Sequence, residues 1–123
     1  MKVKFFVILY ASLGLVVLAG PMAAHHSGSI YDKEHPITLS GTVTKFSLDN
    51  PHARIYFDVK DEKGNVASWI AEMEPPQRLR REGWNLNTLK PGDPITLTGF
   101  PAKDGKTEMN IRYLPLPKAK TSP

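Results

Sequence analysis

Cysteine is absent from the 123-residue chain. That excludes disulfide staples, thiolate metal sites, a cysteine nucleophile and a lipid-modified cysteine anchor. Any domain here must hold itself together by packing. Net charge is scarce as well. The chain carries +4, and setting aside Lys2 and Lys4, which precede every acidic residue, leaves only +2. So small a balance gives no electrostatic footprint for nucleic acid. Internal repeats are lacking, and the length is that of a single domain.

What is present begins with a leader. Lys2 and Lys4 form a positive start, Phe5 to Leu18 is an almost unbroken apolar run, and Ala19, Gly20, Ala23 and Ala24 follow. Positive charge, a short apolar stretch and small residues are the layout of a secretory signal, whereas a membrane span needs about 20 apolar residues. A signal peptide over residues 1–24 is expected, with cleavage after Ala23 or Ala24 and an uncleaved anchor as the alternative. The expected location is periplasmic or secreted, with membrane contact only during export.

Residues 25–36 are polar and carry Gly28 and Pro36, so an arm is expected there. From Ile37 the pattern changes. Ile37, Leu39 and Val43 alternate with Thr38, Ser40 and Thr42, as in a half-buried strand. Apolar parity then shifts to Phe46 and Leu48, which predicts a bulge or bend near Lys45. Asp49-Asn50-Pro51 is turn chemistry. A second strand places Ala53, Ile55, Phe57 and Val59 on one face, with Arg54, Tyr56, Asp58 and Lys60 on the other. Asp61 to Asn65 makes a hairpin into a third strand from about Val66 to Met73. Pro75-Pro76 ends it. Gln77 to Glu82 forms a short helix stopped by Gly83. The Leu89–Pro94 turn leads to a fourth strand, Ile95 to Phe100, and Lys103–Lys106 to a fifth, about Thr107 to Leu114. Residues 117–123 are proline- and lysine-rich and read as a disordered tail.

Strands with one helix between the third and fourth follow the order of an OB-type barrel, in which a bent first strand serves both sides. The expected fold is therefore all-β, a small five-stranded OB-like barrel over residues 37–116. A five-stranded sandwich or open meander is the alternative.

Particular motifs add to this. Ala24-His25-His26-Ser27, Leu39-Ser40-Gly41-Thr42-Val43, Asn50-Pro51-His52-Ala53, Gly83-Trp84 and Leu89-Lys90-Pro91-Gly92-Asp93 occur in this order. Together they resemble a family of small exported bacterial proteins catalogued as a domain of unknown function. The likeness runs from Ala24 to about Leu114 and is weakest around Glu74-Pro75-Pro76. It implies export and an OB-like fold, and it carries no activity to transfer.

Three of the four histidines, His25, His26 and His52, lie in those motifs. Imidazole suits copper, zinc and nickel. Cleavage after Ala24 would let the His25 amine and ring chelate together. Cleavage after Ala23 would put His26 third from the amine, a start that can wrap Cu(II) in four nitrogens. His52, from the turn, would complete a site with the arm folded back, and Asp32 or Asp49 could add an oxygen. The plainer reading is a solvated arm with His52 bonding its own turn, and His35 is taken as structural.

Catalysis is poorly supported. Ser27 or Ser29 with His52 and Asp58 lacks any nucleophile elbow, and Glu72 with Glu74 reads as a solvated rim. Arg78, Arg80 and Arg81 read as a solvated helix face. A competing class of function is a metal-independent module that takes a small ligand, a saccharide or a protein partner on the barrel face around Tyr56 and Trp69. Trp69 and Trp84 also suit core or rim packing.

Overall fold

A computed structural model describes residues 30–111, 114 and 115. The expected signal peptide, His25, His26, Ser27, Ser29 and the 117–123 tail lie outside the described residues. The elements are β1 (Ile37–Ser47), β2 (Arg54–Lys60), β3 (Val66–Glu72), α1 (Pro76–Arg81), β4 (Pro94–Pro101) and β5 (Glu108–Asn110). The strands close into a barrel in the order β1-β2-β3-β5-β4. An all-β barrel with a short helix between β3 and β4 is therefore the architecture, and the sandwich and the open meander are excluded.

Closure depends on the length of β1. Its Ile37–Thr42 half pairs with β4, and its Thr42–Ser47 half pairs with β2. Register slips between Val43 and Lys45, so Val43 faces Phe57, Lys45 faces Tyr56, and Thr44 is the extra residue. Such a bulge bends its strand and moves the following side chains to the opposite parity. That is why Val43 and then Phe46 are both buried. The Pro91-Gly92 turn locks onto the bend: Gly92 N donates to Val43 O and Val43 N to Asp93 O, both at 2.8 Å.

Inside the barrel lie Val43, Ile55, Phe57, Ala71, Leu97 and Met109, all almost wholly buried. Leu79 and Trp84, from α1 and the loop after it, join Phe46, Leu48 and Met73 in the same cluster. The Trp84 ring lies 5.7 Å from that of Phe46. α1 starts with Pro76 in its first turn, where a missing N–H costs nothing. It ends at Gly83, whose φ of 95° needs glycine.

Two expectations need correction. The fifth strand is only Glu108–Asn110, shorter than its apolar pattern suggested. Its pairing residues are limited to Ile70–Glu72 of β3 in parallel and Phe100–Pro101 of β4. The arm is also less free than its composition implied. Tyr31 bridges to Ala102, Asp32 N donates to Pro101 O at 2.8 Å, and Lys103 N donates to Ile30 O at 2.9 Å. The Tyr31 side chain is buried but stands outside the main core cluster.

Burial, reinforced by the charges of Glu72 and Glu108 and opposed by Arg54, raises the Tyr31 phenol above its ordinary value of 10.0. A raised value favours the neutral form in the fold. The resulting stability is complete below pH 10 and is lost as pH rises through the folded value. Subtracting the ultraviolet titration of a Tyr31→Phe variant from that of the parent should leave a phenol midpoint above 10. A midpoint at or below 10 would contradict this docking of the arm.

Candidate functional site

Alternation along each strand decides what faces outward. Ile55 and Phe57 point inward, so Tyr56 between them points out, and Lys45, Ile70 and Glu108 stand beside it in register. These four form one row across the outer face of β1, β2, β3 and β5. Lys45 Nζ sits 5.4 Å from the Tyr56 ring centre, a cation–π distance that fixes one side of the ring.

Next to this row opens a groove of about 540 Å³. Tyr56 and Ile70 give it an apolar surface, Thr44, Ser68 and Thr107 supply hydroxyls, and Lys106 and Glu108 supply charges of opposite sign. Its β5 wall is tied down. Thr107 Oγ1 donates to Ser68 O at 2.8 Å, and Ile70 N donates to Thr107 O at 3.0 Å. Ser68 Oγ donates to Asp58 Oδ1 at 2.8 Å. An apolar floor, a few fixed polar groups and a partly open mouth are the ordinary makings of a small-ligand site.

The two aromatic candidates, Tyr56 and Trp69, both border this groove. They do so differently. Trp69 is paired with Phe57, which puts it on the core-facing parity, and it packs half-buried against the core. It supports the groove from behind, while Tyr56 offers a ring to a ligand. Trp69→Ala should cost on the order of 2 kcal/mol, below the loss for a wholly buried tryptophan. Urea unfolding measures it; an unchanged midpoint would place the indole at the surface.

His52 lies elsewhere, in the loop between β1 and β2, half-buried. Its Nδ1 is 3.0 Å from Met73 O, and since a carbonyl only accepts, Nδ1–H is the donor. In the neutral ring this leaves the lone pair on Nε2, the orientation a metal-ligating histidine normally has. His25 and His26 are outside the described residues, and among the described residues no group of three or more His, Asp or Glu side chains is placed to hold a metal ion. The described arm begins at Ile30, whose carbonyl accepts from Lys103 N, and His52 lies in the loop between β1 and β2.

Several of the remaining candidates have structural partners. His35 Nδ1 meets Asp32 Oδ2 at 2.9 Å on the surface, and this bond heads the causes that hold the Asp32 carboxyl below its ordinary range. Asp49 accepts from Ser47 Oγ. Glu74 and Glu82 flank Arg78 at 3.5 and 3.3 Å, and Arg80 reaches Leu48 O at 3.4 Å, so these arginines brace the helix.

A sequence model for a family of unknown function, DUF6152, matches residues 12–110. The chain belongs to this family. No curated protein matches it. For this DUF6152 member the match spans every strand of the barrel, but a family of unknown function assigns no chemistry to the groove or to His52.

Sequence reasoning had singled out Tyr56 and Trp69 but missed Thr44, Ile70, Lys106, Thr107 and Glu108. For Thr44 and Ile70 a signal existed: the parity shift near Lys45 turns Thr44 outward, and Ile70 alternates with the buried Ala71. The β5 wall depends on non-local pairing and left no local signal.

Proposed function

We propose that this protein is an exported periplasmic binding module that takes a small saccharide in the groove beside Tyr56, with no need of a metal. The observation that carries the reading is the Tyr56–Ile70 floor set among the hydroxyls of Thr44, Ser68 and Thr107. A sugar ring presents C–H bonds on its faces and hydroxyls at its edge. That pattern is complementary to an aromatic floor with hydrogen-bonding groups at the rim. Export is supported by the charged start and apolar run of the leader. The partner is thus a ligand met outside the cytoplasm, and nucleic acid is not expected.

Calorimetry of the naturally processed protein against short oligosaccharides tests this. Tyr56→Ala should weaken binding by about tenfold or more, since a ring truncated at the centre of an interface is costly. Its melting temperature should stay near that of the parent, because the side chain faces outward. Unaltered affinity in Tyr56→Ala would remove the groove from consideration.

A second reading is Cu(II) held by His25, His26 and His52, and the free Nε2 of His52 favours it. Here one tight equivalent of Cu(II) should bind, weakened when His52 is replaced by alanine. Tight binding indifferent to His52 would mean chelation at the N-terminus alone.

A further inference from the structure

Beyond Ile70 and Glu108 the outer face holds a second, smaller pocket of about 130 Å³, lined by Tyr31, Arg54, Ile70, Glu72 and Glu108. It shares Ile70 and Glu108 with the groove. Its polar walls are drawn from distant parts of the chain. Arg54 and Glu72 are opposite each other on β2 and β3, Glu108 is on β5, and Tyr31 arrives on the docked arm.

These groups are held together without satisfying one another. Arg54 and Glu72 are direct cross-strand partners, yet they form no ion pair, and neither Glu72 nor Glu108 has a hydrogen-bonded or ionic side-chain partner among the described residues. Tyr31 is only 5% exposed, and its hydroxyl is likewise without a hydrogen bond among the described residues. Tyr31 lines the pocket, so this unbonded hydroxyl is available to an occupant. Its backbone is bonded on both sides to the Pro101–Lys103 segment, which holds the ring beside the two carboxylates. Both carboxylates act electrostatically on the phenol, and Arg54 acts in the opposite sense.

The chemistry of the occupant follows from the acceptors. Two carboxylates and one guanidinium leave a net charge of −1, suited to a single positive charge. An ammonium group has three N–H donors, and Glu72, Glu108 and the Tyr31 oxygen are three acceptors. An ammonium group is about the size of a water molecule, whose share of liquid volume is about 30 Å³, so it fits with room for part of a ring. A divalent cation is a poorer match, because Arg54 would stand beside it.

We propose that the pocket is a subsite for a primary ammonium group, so that the ligand of the adjoining groove is an amino sugar with its amine free. This rests on the saccharide reading of the groove. The sugar lies over Tyr56 and Ile70, its ammonium sits between Glu72 and Glu108 under the Tyr31 hydroxyl, and Arg54 donates to a neighbouring hydroxyl.

The test compares two probes by calorimetry on the processed protein, at a pH where the sugar amine is protonated: a β-1,4-linked glucosamine tetramer and its fully N-acetylated counterpart. Acetylation removes the charge and two of the donors. The expected result is at least tenfold tighter binding of the free-amine tetramer. That preference should vanish in Glu72→Gln/Glu108→Gln and shrink in the single variant Glu72→Gln, whose affinity for the acetylated tetramer should stay as in the parent because Glu72 lines the smaller pocket and not the groove. The net positive charge of the chain works against attraction of this polycation elsewhere on the surface. Equal binding of the two tetramers by the parent would overturn the ammonium subsite and leave the groove reading standing. An undiminished preference in a folded Glu72→Gln would also overturn the subsite. Binding of neither tetramer would overturn the subsite and the saccharide reading together.

Discussion

Phe57→Ala is expected to remove about 3–5 kcal/mol of stability, the range for deleting a buried aromatic ring. Phe57 is 0% exposed at the middle of β2. It is flanked across the sheet by Val43 and Trp69, so three strands converge on the one ring. The cost has two parts. The ring loses its transfer out of water, and the barrel retains a cavity because its wall cannot collapse. β1 is pinned on both sides, by β2 and by β4, and the Gly92 turn is bonded to its bend. A domain of this size commonly has only about 5–15 kcal/mol in total, so the variant should melt far below the parent. Urea unfolding measures the difference. A loss under about 1 kcal/mol would mean that the interior relaxes freely, against the close packing of protein cores.

The second large effect belongs to Gly41. A methyl group there would overlap the carbonyl oxygen of Asp58, a backbone atom, with the Phe57 ring edge only 3.2 Å away. Neither neighbour is a flexible side-chain end. Gly41 is in register with Ile95, and its neighbour Thr42 pairs with Asp58, so the crowded strands are held by their own hydrogen bonds. Gly41→Ala should therefore cost about 2–3 kcal/mol through overpacking. Gly64→Ala provides the contrast. Gly64 has a φ of 83° and nothing within 4 Å of an added methyl. Its cost is conformational only, about 1–2 kcal/mol for a residue forced into the left-handed region. If the two variants melt together, the crossing at Gly41 is looser than described.

The barrel was legible where chemistry is local. The change of parity between Val43 and Phe46 announced the bulge. Pro76 and Gly83 bracketed the helix, and the alternation of Ile55, Tyr56 and Phe57 separated core from surface. Closure was much less visible. β5 joins β3 in parallel through three residues, and no local pattern specifies a pairing between segments so far apart. Tyr31 reads as part of a polar arm until Ala102 is placed beside it. Trp69 shows the limit of reading an aromatic by type. Its type suits a ligand platform and core or rim packing alike, and parity with Ala71 turns it toward the core. For the histidines, sequence gave ligand chemistry and a reason to look at His52. The structure adds only the bond that leaves its Nε2 free.

The central claim, that ligand is taken on the outer face beside Tyr56, is tested most directly by amide chemical-shift mapping. The naturally processed, nitrogen-15-labelled protein would be titrated with the glucosamine tetramer and its N-acetylated counterpart. Saturable shifts concentrated at Thr44, Tyr56, Ile70 and Thr107, with little change at His52 or in α1, are the predicted result. Saturable shifts that avoid this row, or none with either sugar while one equivalent of Cu(II) perturbs His52, would contradict the account and make the histidines the functional site.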